Sequence, residues 1–414
     1  MAAGQRLRER RAPRGELRFA GARNPVPELF LWSRAAIWAA ALFALLAFEP
    51  SRHPEAARWD DPSVTRDLGY AVDVWARWDS VFFLRIAEHG YDAAAAAFYP
   101  LYPLSVGLLG RVLLGHYVLA GVVVSLAASL AAFLLLYRVA EERLGADGAR
   151  RAVLYLALAP MALFLQAVYS EALYLLLAIA SFLLAERRRW LPAGLVAGLA
   201  LLTRIAGVAL LPALALLAWR SPERRRALLS LGAAPALFAT YPLYLGLETG
   251  DPWGFVRAQE IWHRQLSWAG PLGGVWDGLR AGWAGVRQVV SGSTTHAYWS
   301  AVDPSDSSPL HVAAVNLQNL AFLCLFAFLT VVAWRRFGVP YGLFCAASLA
   351  IPLSVPSERW PLLSMPRLGL VVFPFYLALA SLGGRPRVHT AILSVSALVL
   401  GVAVVQWSLW QWVA

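Results

Sequence analysis

The residues that could carry chemistry are few and far apart. The densest stretch is Trp75-Ala76-Arg77-Trp78-Asp79-Ser80, followed by Val81-Phe82-Phe83-Leu84-Arg85-Ile86-Ala87-Glu88-His89-Gly90-Tyr91. Positions 78, 82, 83, 86 and 87 share one face at helical spacing, which predicts a short amphipathic helix in a membrane interface, ended by Gly90. Asp79 then stands at the N-terminal end of that helix, where a carboxylate is electrostatically favoured. Capping of the helix is its structural alternative. Glu171, after Tyr169-Ser170, opens one turn between apolar runs, Arg204 occupies the equivalent turn between the next two, and Arg367 in Ser364-Met365-Pro366-Arg367 opens another. Ionisable residues at such depth are functional candidates by default. Pairing of Glu171 with Arg204, or snorkelling of the arginines, would account for them structurally. A carboxylate beside guanidinium groups is what lipid-phosphate chemistry needs: a base for a proton and a cation for the departing phosphate.

The elements that must position these groups follow from composition. The chain has 414 residues, 59% hydrophobic and only 15% charged, where a soluble globular chain is roughly half apolar and about 25% charged. A water-soluble multidomain protein is excluded. Apolar runs recur along the chain, each long enough for a hydrocarbon core that takes about 20 helical residues to cross, with none of the alternation of barrel strands. The fold class is all-α, a polytopic integral membrane protein. The run from Leu29 to Phe48 is too long for the apolar region of a cleavable signal peptide and lacks a small-residue cleavage site.

All 36 basic residues are Arg, and the net charge is +11. In a membrane protein such an excess is first a topology signal, and no aromatic-rich basic stripe points to nucleic acid. The segment 96–114, broken by Pro100 and Pro103 and carrying Arg111, decides the topology. If it spans, the later Arg clusters fall outside. If it is juxtamembrane or re-entrant, Arg138/Arg143/Arg150/Arg151, Arg187/Arg188/Arg189, Arg220/Arg224/Arg225/Arg226, Arg335/Arg336 and Arg385/Arg387 all become cytoplasmic. The second reading gives about 11 transmembrane helices: 29–48, 116–137, 152–169, 171–185, 190–203, 205–219, 227–247, 310–334, 339–355, 368–382 and 388–410. Residues 1–28 form a basic cytoplasmic tail, with Arg34 counted to that side. Residues 29–414 form the transmembrane domain, with outer loops 49–115 and 248–309. The first loop is acidic and of a length usually tied to function; the second is rich in Trp, Tyr and Gly and suits an interface where head groups or sugars are handled.

Other signals are weaker. Cys324 and Cys345 lie inside spans, so neither a disulfide framework nor a Cys-ligated metal is expected. The histidines lack HxxxH or HExxH spacing, and no GxGxxG, Walker or GxSxG context exists. Asp79 with Asp73 or Glu171 could hold Mg²⁺ or Mn²⁺, but without paired, spaced ligands no metal site is assigned.

Taken together, the motifs resemble a known family. Trp78-Asp79 with Ile86-Ala87 and Gly90-Tyr91, then Phe98-Tyr99-Pro100-Leu101-Tyr102-Pro103-Leu104, is similar to the signature of the PIG-V family, the second mannosyltransferases of GPI-anchor assembly and their actinobacterial relatives. Further similar segments follow in order over roughly 70–410: Ala167 to Tyr174, Leu202-Thr203-Arg204 with Gly207, Gly250-Asp251-Pro252 with Ala258-Gln259, and Ser364 to Arg367 with Phe373-Pro374. The resemblance implies a GT-C glycosyltransferase with juxtamembrane helices in the first outer loop. It implies transfer of mannose from polyprenyl-phosphate-mannose to a lipid or glycan acceptor at the extracytoplasmic face, here of a bacterial plasma membrane. Asp79 falls on the catalytic position, and Arg367, Arg204, Glu171, Trp78, Tyr91 and Gln259 become substrate or lipid-phosphate contacts. A transporter or flippase of a lipid-linked sugar, and a non-catalytic subunit of a mannosyltransferase complex, are the competing readings.

Overall fold

The computed structural model describes residues 24–50, 60–92, 94–303 and 307–413, so the expected cytoplasmic tail lies outside the described residues up to position 23. Among the described residues the regular structure is helical, with one isolated bridge between Arg264 and Ser357. Five helices are long and apolar enough to cross a membrane: Val26–Ala47, Tyr117–Ala157, Arg224–Glu248, Pro309–Phe337 and Pro386–Ser408. Shorter apolar helices accompany them at Leu101–Val112, Trp190–Leu201, Ile205–Trp219 and Val339–Ser354. The chain is an integral membrane protein. Most expected spans coincide with these helices to within a few residues, although the helix lengths do not themselves count eleven crossings.

The clearest departure is at 152–169. The helix over Tyr117–Ala157 is two helices joined across a break at Gly145 (φ 71°, ψ 178°), a conformation open to glycine and strained for any other residue. The second piece stops at Ala157, and the chain continues as turns around a single 3₁₀ turn, Ala162–Leu165, before Glu171. An apolar run reads as a continuous span by hydropathy, but Pro160 and the loss of helical hydrogen bonds cut it short. The exposed carbonyls need donors inside a dry environment. Arg34 supplies them: Nη1 donates to the Ala162 carbonyl at 2.8 Å and Nη2 to that of Ala157 at 2.9 Å. Arg34 is buried within the first helix, and so belongs to the core of the bundle rather than to the basic tail.

The bundle has two chemically distinct ends. The helix Glu171–Glu186 places its two glutamates roughly 22 Å apart at 1.5 Å per residue. At the Glu186 end, Arg143 pairs with Glu186, Tyr341 donates to Glu186 at 2.9 Å, and Arg187 reaches Glu142 at 3.4 Å. Arg151 and Arg336 donate to the carbonyls of Ala380 and Ser381. The turns around 143–151, 186–189, 335–341 and 380–385 therefore share one end, as their common Arg content requires under a single topology. The Glu171 end carries the site.

Part of the second expected loop is helical. Pro271–Ser291 packs Gly274, Gly278, Ala281, Gly282 and Gly285 against the neighbouring helices, leaving Trp276, Leu279 and Trp283 exposed on the opposite face. Its glycines and charges hide this helix from a hydropathy reading.

Arg34→Leu should destabilise the protein by about 1.5–3 kcal/mol, the range for a hydrogen bond to a charged group. Thermal unfolding in nanodiscs measures this; an unchanged midpoint would show that the Ala157 and Ala162 carbonyls need no such donor.

Candidate active site

The helix predicted after Trp78 forms at Ser80–His89 and ends at Gly90 (φ 89°). Asp79 occupies its N-cap position, but the carboxylate makes no capping hydrogen bond. It is aimed elsewhere: Asp79 Oδ2 accepts from Arg367 Nη1 at 2.7 Å. Arg367 Nε donates to Glu171 Oε1 at 2.5 Å, and Arg204 Nη1 lies 2.5 Å from the same oxygen. The four residues singled out in the sequence thus form one chain, Asp79, Arg367, Glu171 and Arg204. Three of its members are buried and Arg204 is partly so.

Local structure explains how distant segments meet. Glu171 is the first residue of its helix, where the macrodipole favours a carboxylate. Arg367 lies in the short helix Met365–Leu370, entered through Ser364 at φ 65°. Gly369 lets that helix approach Pro309–Phe337, since a Cβ there would stand 2.1 Å from the Phe326 ring. Tyr169 ties the acidic loops together: its hydroxyl donates to the Arg77 carbonyl at 3.0 Å and accepts from the Asp79 N–H at 3.1 Å. Its ring, with that of Phe164, lies under the Arg367 guanidinium. Val168 donates to Trp75 O at 2.9 Å, and Trp407 Nε1 to Val74 O at 2.6 Å. Trp78 adopts φ 56° and packs edge-on against Trp410 and Trp412. A left-handed tryptophan costs roughly 1–3 kcal/mol, and such strain persists where surrounding contacts over-determine it.

The two carboxylates and two guanidiniums balance in charge, which a buried cluster needs if it is not to leave an uncompensated ion. Hydrogen-bonding capacity nevertheless remains. Asp79 Oδ1, Glu171 Oε2 and Trp78 Nε1 are buried without a hydrogen-bond partner among the described residues, as are both side-chain polar atoms of Gln166. Buried polar atoms are normally paired, so this concentration marks a place where a ligand or water belongs.

Two expected contacts fall elsewhere. Tyr91 donates to the Phe98 carbonyl at 2.5 Å and packs with Tyr241 and Tyr244. Gln259 lies in the turn Ala258–Trp262, which packs on Ala94–Ala97 beside the same aromatic cluster. Asp73, considered as a metal ligand, accepts instead from the backbone N–H groups of Asp67, Leu68 and Gly69. Among the described residues no three metal-ligating side chains converge; the Arg367 guanidinium stands between the Asp79 and Glu171 carboxylates.

Residues 64–214 match the family described as Mannosyltransferase (PIG-V). Over that stretch the chain is similar to that family. It holds Asp79, Glu171 and Arg204, while Arg367 lies beyond it. No curated protein matches the chain. Similar solved structures include the Archaeoglobus fulgidus oligosaccharyltransferase tethered with an acceptor peptide containing the NVT sequon via a disulfide bond, at 14% identity and TM-score 0.38, covering 92% of this chain and 55% of that one. Another is the oligosaccharyltransferase AglB of the same organism in complex with an inhibitory peptide and a dolichol-phosphate, at 13% identity and TM-score 0.41, covering 90% and 56%. The chain spans little more than half the length of those proteins.

One cation near this site escaped the sequence reading. Arg264 donates to the carbonyls of Val355 and Leu363, at 3.3 and 3.2 Å. Burial lowers its guanidinium from the ordinary value; the charge of Arg367 adds to the lowering and that of Asp79 opposes it, so Arg264 feels both. It forms no ion pair among the described residues. No periodicity or motif marks it, and only the pairing of 264–267 with 354–357 brings it to the site.

Arg367→Met strands the buried Asp79 carboxylate, leaves Glu171 with Arg204 alone, and should cost about 3–5 kcal/mol. Adding Asp79→Asn and Glu171→Gln to the same chain should recover part of the loss. Unfolding midpoints that move neither way would show that the cluster is not an ion-paired unit.

Proposed function

We propose that the protein is a membrane mannosyltransferase that moves mannose from polyprenyl-phosphate-mannose to an acceptor hydroxyl on the extracytoplasmic face. The observation that carries this reading is the Asp79 carboxylate. It lies within the family match, forgoes helix capping, is held through one oxygen by Arg367, and keeps the other buried and unpartnered. An oxygen so placed can accept a proton when a hydroxyl reaches it. The orientation rests on the Arg-rich turns gathered at the opposite end of the bundle, which the positive-inside rule assigns to the cytoplasm.

In this reading the acceptor hydroxyl gives its proton to Asp79 Oδ1 as its oxygen bonds to the anomeric carbon. The bond from that carbon to the lipid-phosphate oxygen breaks, and polyprenyl phosphate leaves with the electron pair, with inversion at the sugar. Arg367 and Arg204 are committed to carboxylates, so they orient the base and balance Glu171. Arg264, a half-buried guanidinium with no carboxylate partner among the described residues, receives the departing phosphate, a role suited to its forked donors. The polyprenyl tail stays in the bilayer while its head group enters at the rim.

Purified protein with radiolabelled polyprenyl-phosphate-mannose and a cell lipid extract should yield a mannosylated product. Asp79→Asn should lower turnover by about 10²–10⁴-fold, the usual contribution of a general base. Near-normal turnover in that variant removes Asp79 as the base. A wild-type protein that moves the donor across a vesicle membrane without forming product would favour the flippase reading. Arg264→Gln should raise the donor KM with a smaller effect on acceptor KM, because charge-assisted phosphate contacts act on donor binding.

A further inference from the structure

A second polar site lies beside the first. The outer part of helix Pro309–Phe337, the last turn of helix Pro386–Ser408, the segment after it and the turn before Arg367 enclose a cavity of about 60 Å³, lined among others by His311, Gln318, Asn319, Ser364, Gln406 and Trp412. A site holding one water needs about 10–15 Å³, so this space takes several waters or the hydroxyl-bearing edge of a larger group. Asn319 is 5% exposed, yet neither its amide nor those of Gln318 and Gln406 makes a hydrogen bond among the described residues. Amides gathered on helices that otherwise present apolar faces are costly unless something uses them.

The lining selects its occupant. No Arg, Asp or Glu faces the cavity, so a phosphate would find no fixed counter-charge there, and an acyl or polyprenyl chain would leave the amides unsatisfied. A group with several neutral hydroxyls satisfies both donors and acceptors, and Trp412 offers a ring face against which the apolar side of a sugar packs. Two short chains of contact join the cavity to Asp79. Trp412 packs on Trp78, the residue before Asp79, with ring centroids 5.3 Å apart. Ser364 begins the turn that carries Arg367, which holds Asp79 at 2.7 Å.

We infer that this cavity is a sugar-binding subsite of the transferase centre, reading a neutral hexose ring through Asn319, Gln318, Gln406 and Trp412. The assignment rests on the proposed function for its role in transfer, but not for its ligand chemistry. The ring belongs either to the acceptor or to the mannose of the donor, and kinetics separates them.

The experiment uses the full chain in lipid nanodiscs free of sugar detergents, with octyl α-mannopyranoside as the probe and octanol as its sugarless control. Saturation-transfer NMR should show the probe binding through its ring protons. Asn319→Leu combined with Gln406→Met should weaken that binding on the order of tenfold, the effect of losing two neutral hydrogen bonds, while octanol binding stays as in the wild type. In the transfer assay the same variant should raise one KM by a similar factor with kcat changed less. A rise for added octyl mannoside assigns the subsite to the acceptor, and a rise for polyprenyl-phosphate-mannose assigns it to the donor. Equal probe binding in variant and wild type overturns the inference, as does equal loss of octanol binding, which would report a collapsed cavity. If the probe binds through these amides but no transfer occurs, the sugar site stands and the transferase reading fails.

Discussion

One guanidinium holds the site together. Arg367 bonds Asp79 with one nitrogen and Glu171 with another, and so joins three segments almost 300 residues apart in the chain. A buried carboxylate without a partner would protonate or unfold its surroundings. Asp79 and Glu171 are therefore buried together only with Arg367 between them, and Glu171 pairs with Arg204 as well. The geometry of the acidic loop, the entry into the helix Met365–Leu370 and the unwound segment 158–170 are all arranged to bring these ends together.

The unwound segment is the less obvious requirement. A continuous helix through 152–169 would carry Tyr169 and Glu171 along a regular spiral, with its backbone hydrogen bonds closed internally. Stopping at Ala157 frees backbone groups that must then be satisfied in a dry environment. Arg34 takes the carbonyls of Ala157 and Ala162, Ser125 takes that of Ala167, and Trp75 O receives the Val168 N–H. These bonds set the height and direction of Tyr169, whose hydroxyl in turn fixes the backbone of Arg77 and Asp79. The placement of Asp79 is thus traceable to a broken helix and a buried arginine well outside the site.

How far the sequence reveals this differs by kind of signal. Hydropathy marked most spans because long apolar runs have one stable solution in a bilayer. Asp79, Glu171, Arg204 and Arg367 were legible as ionisable residues at run ends, and their convergence followed from their common side. Three features left no such mark. Arg34 sits inside an apolar run, where charge counting assigns it to the nearer tail. The helix Pro271–Ser291 buries glycines, whose packing value is invisible to hydropathy. Arg264 reaches the site through backbone pairing between two loops, a long-range contact without sequence period. Tyr91, another motif residue, packs in an aromatic cluster with Tyr241 and Tyr244 apart from the ion-paired chain, and Gln259 lies in the short turn Ala258–Trp262.

The charge balance of the cluster also divides its work. Two carboxylates facing two guanidiniums leave no surplus cation, so an arriving phosphate would have to break a buried ion pair to be held by Arg367 or Arg204. Breaking such a pair strands a carboxylate, which makes either arginine a poor receptor. A cation outside the cluster but within its field avoids that cost. Arg264 meets the condition, being bound among the described residues to backbone carbonyls. The amide-lined cavity has no ionised carboxylate or guanidinium on its walls and suits the uncharged part of a substrate. In the proposed reading, phosphate and sugar are therefore recognised by separate surfaces around an Asp79 fixed by Arg367, and the balanced cluster stays intact.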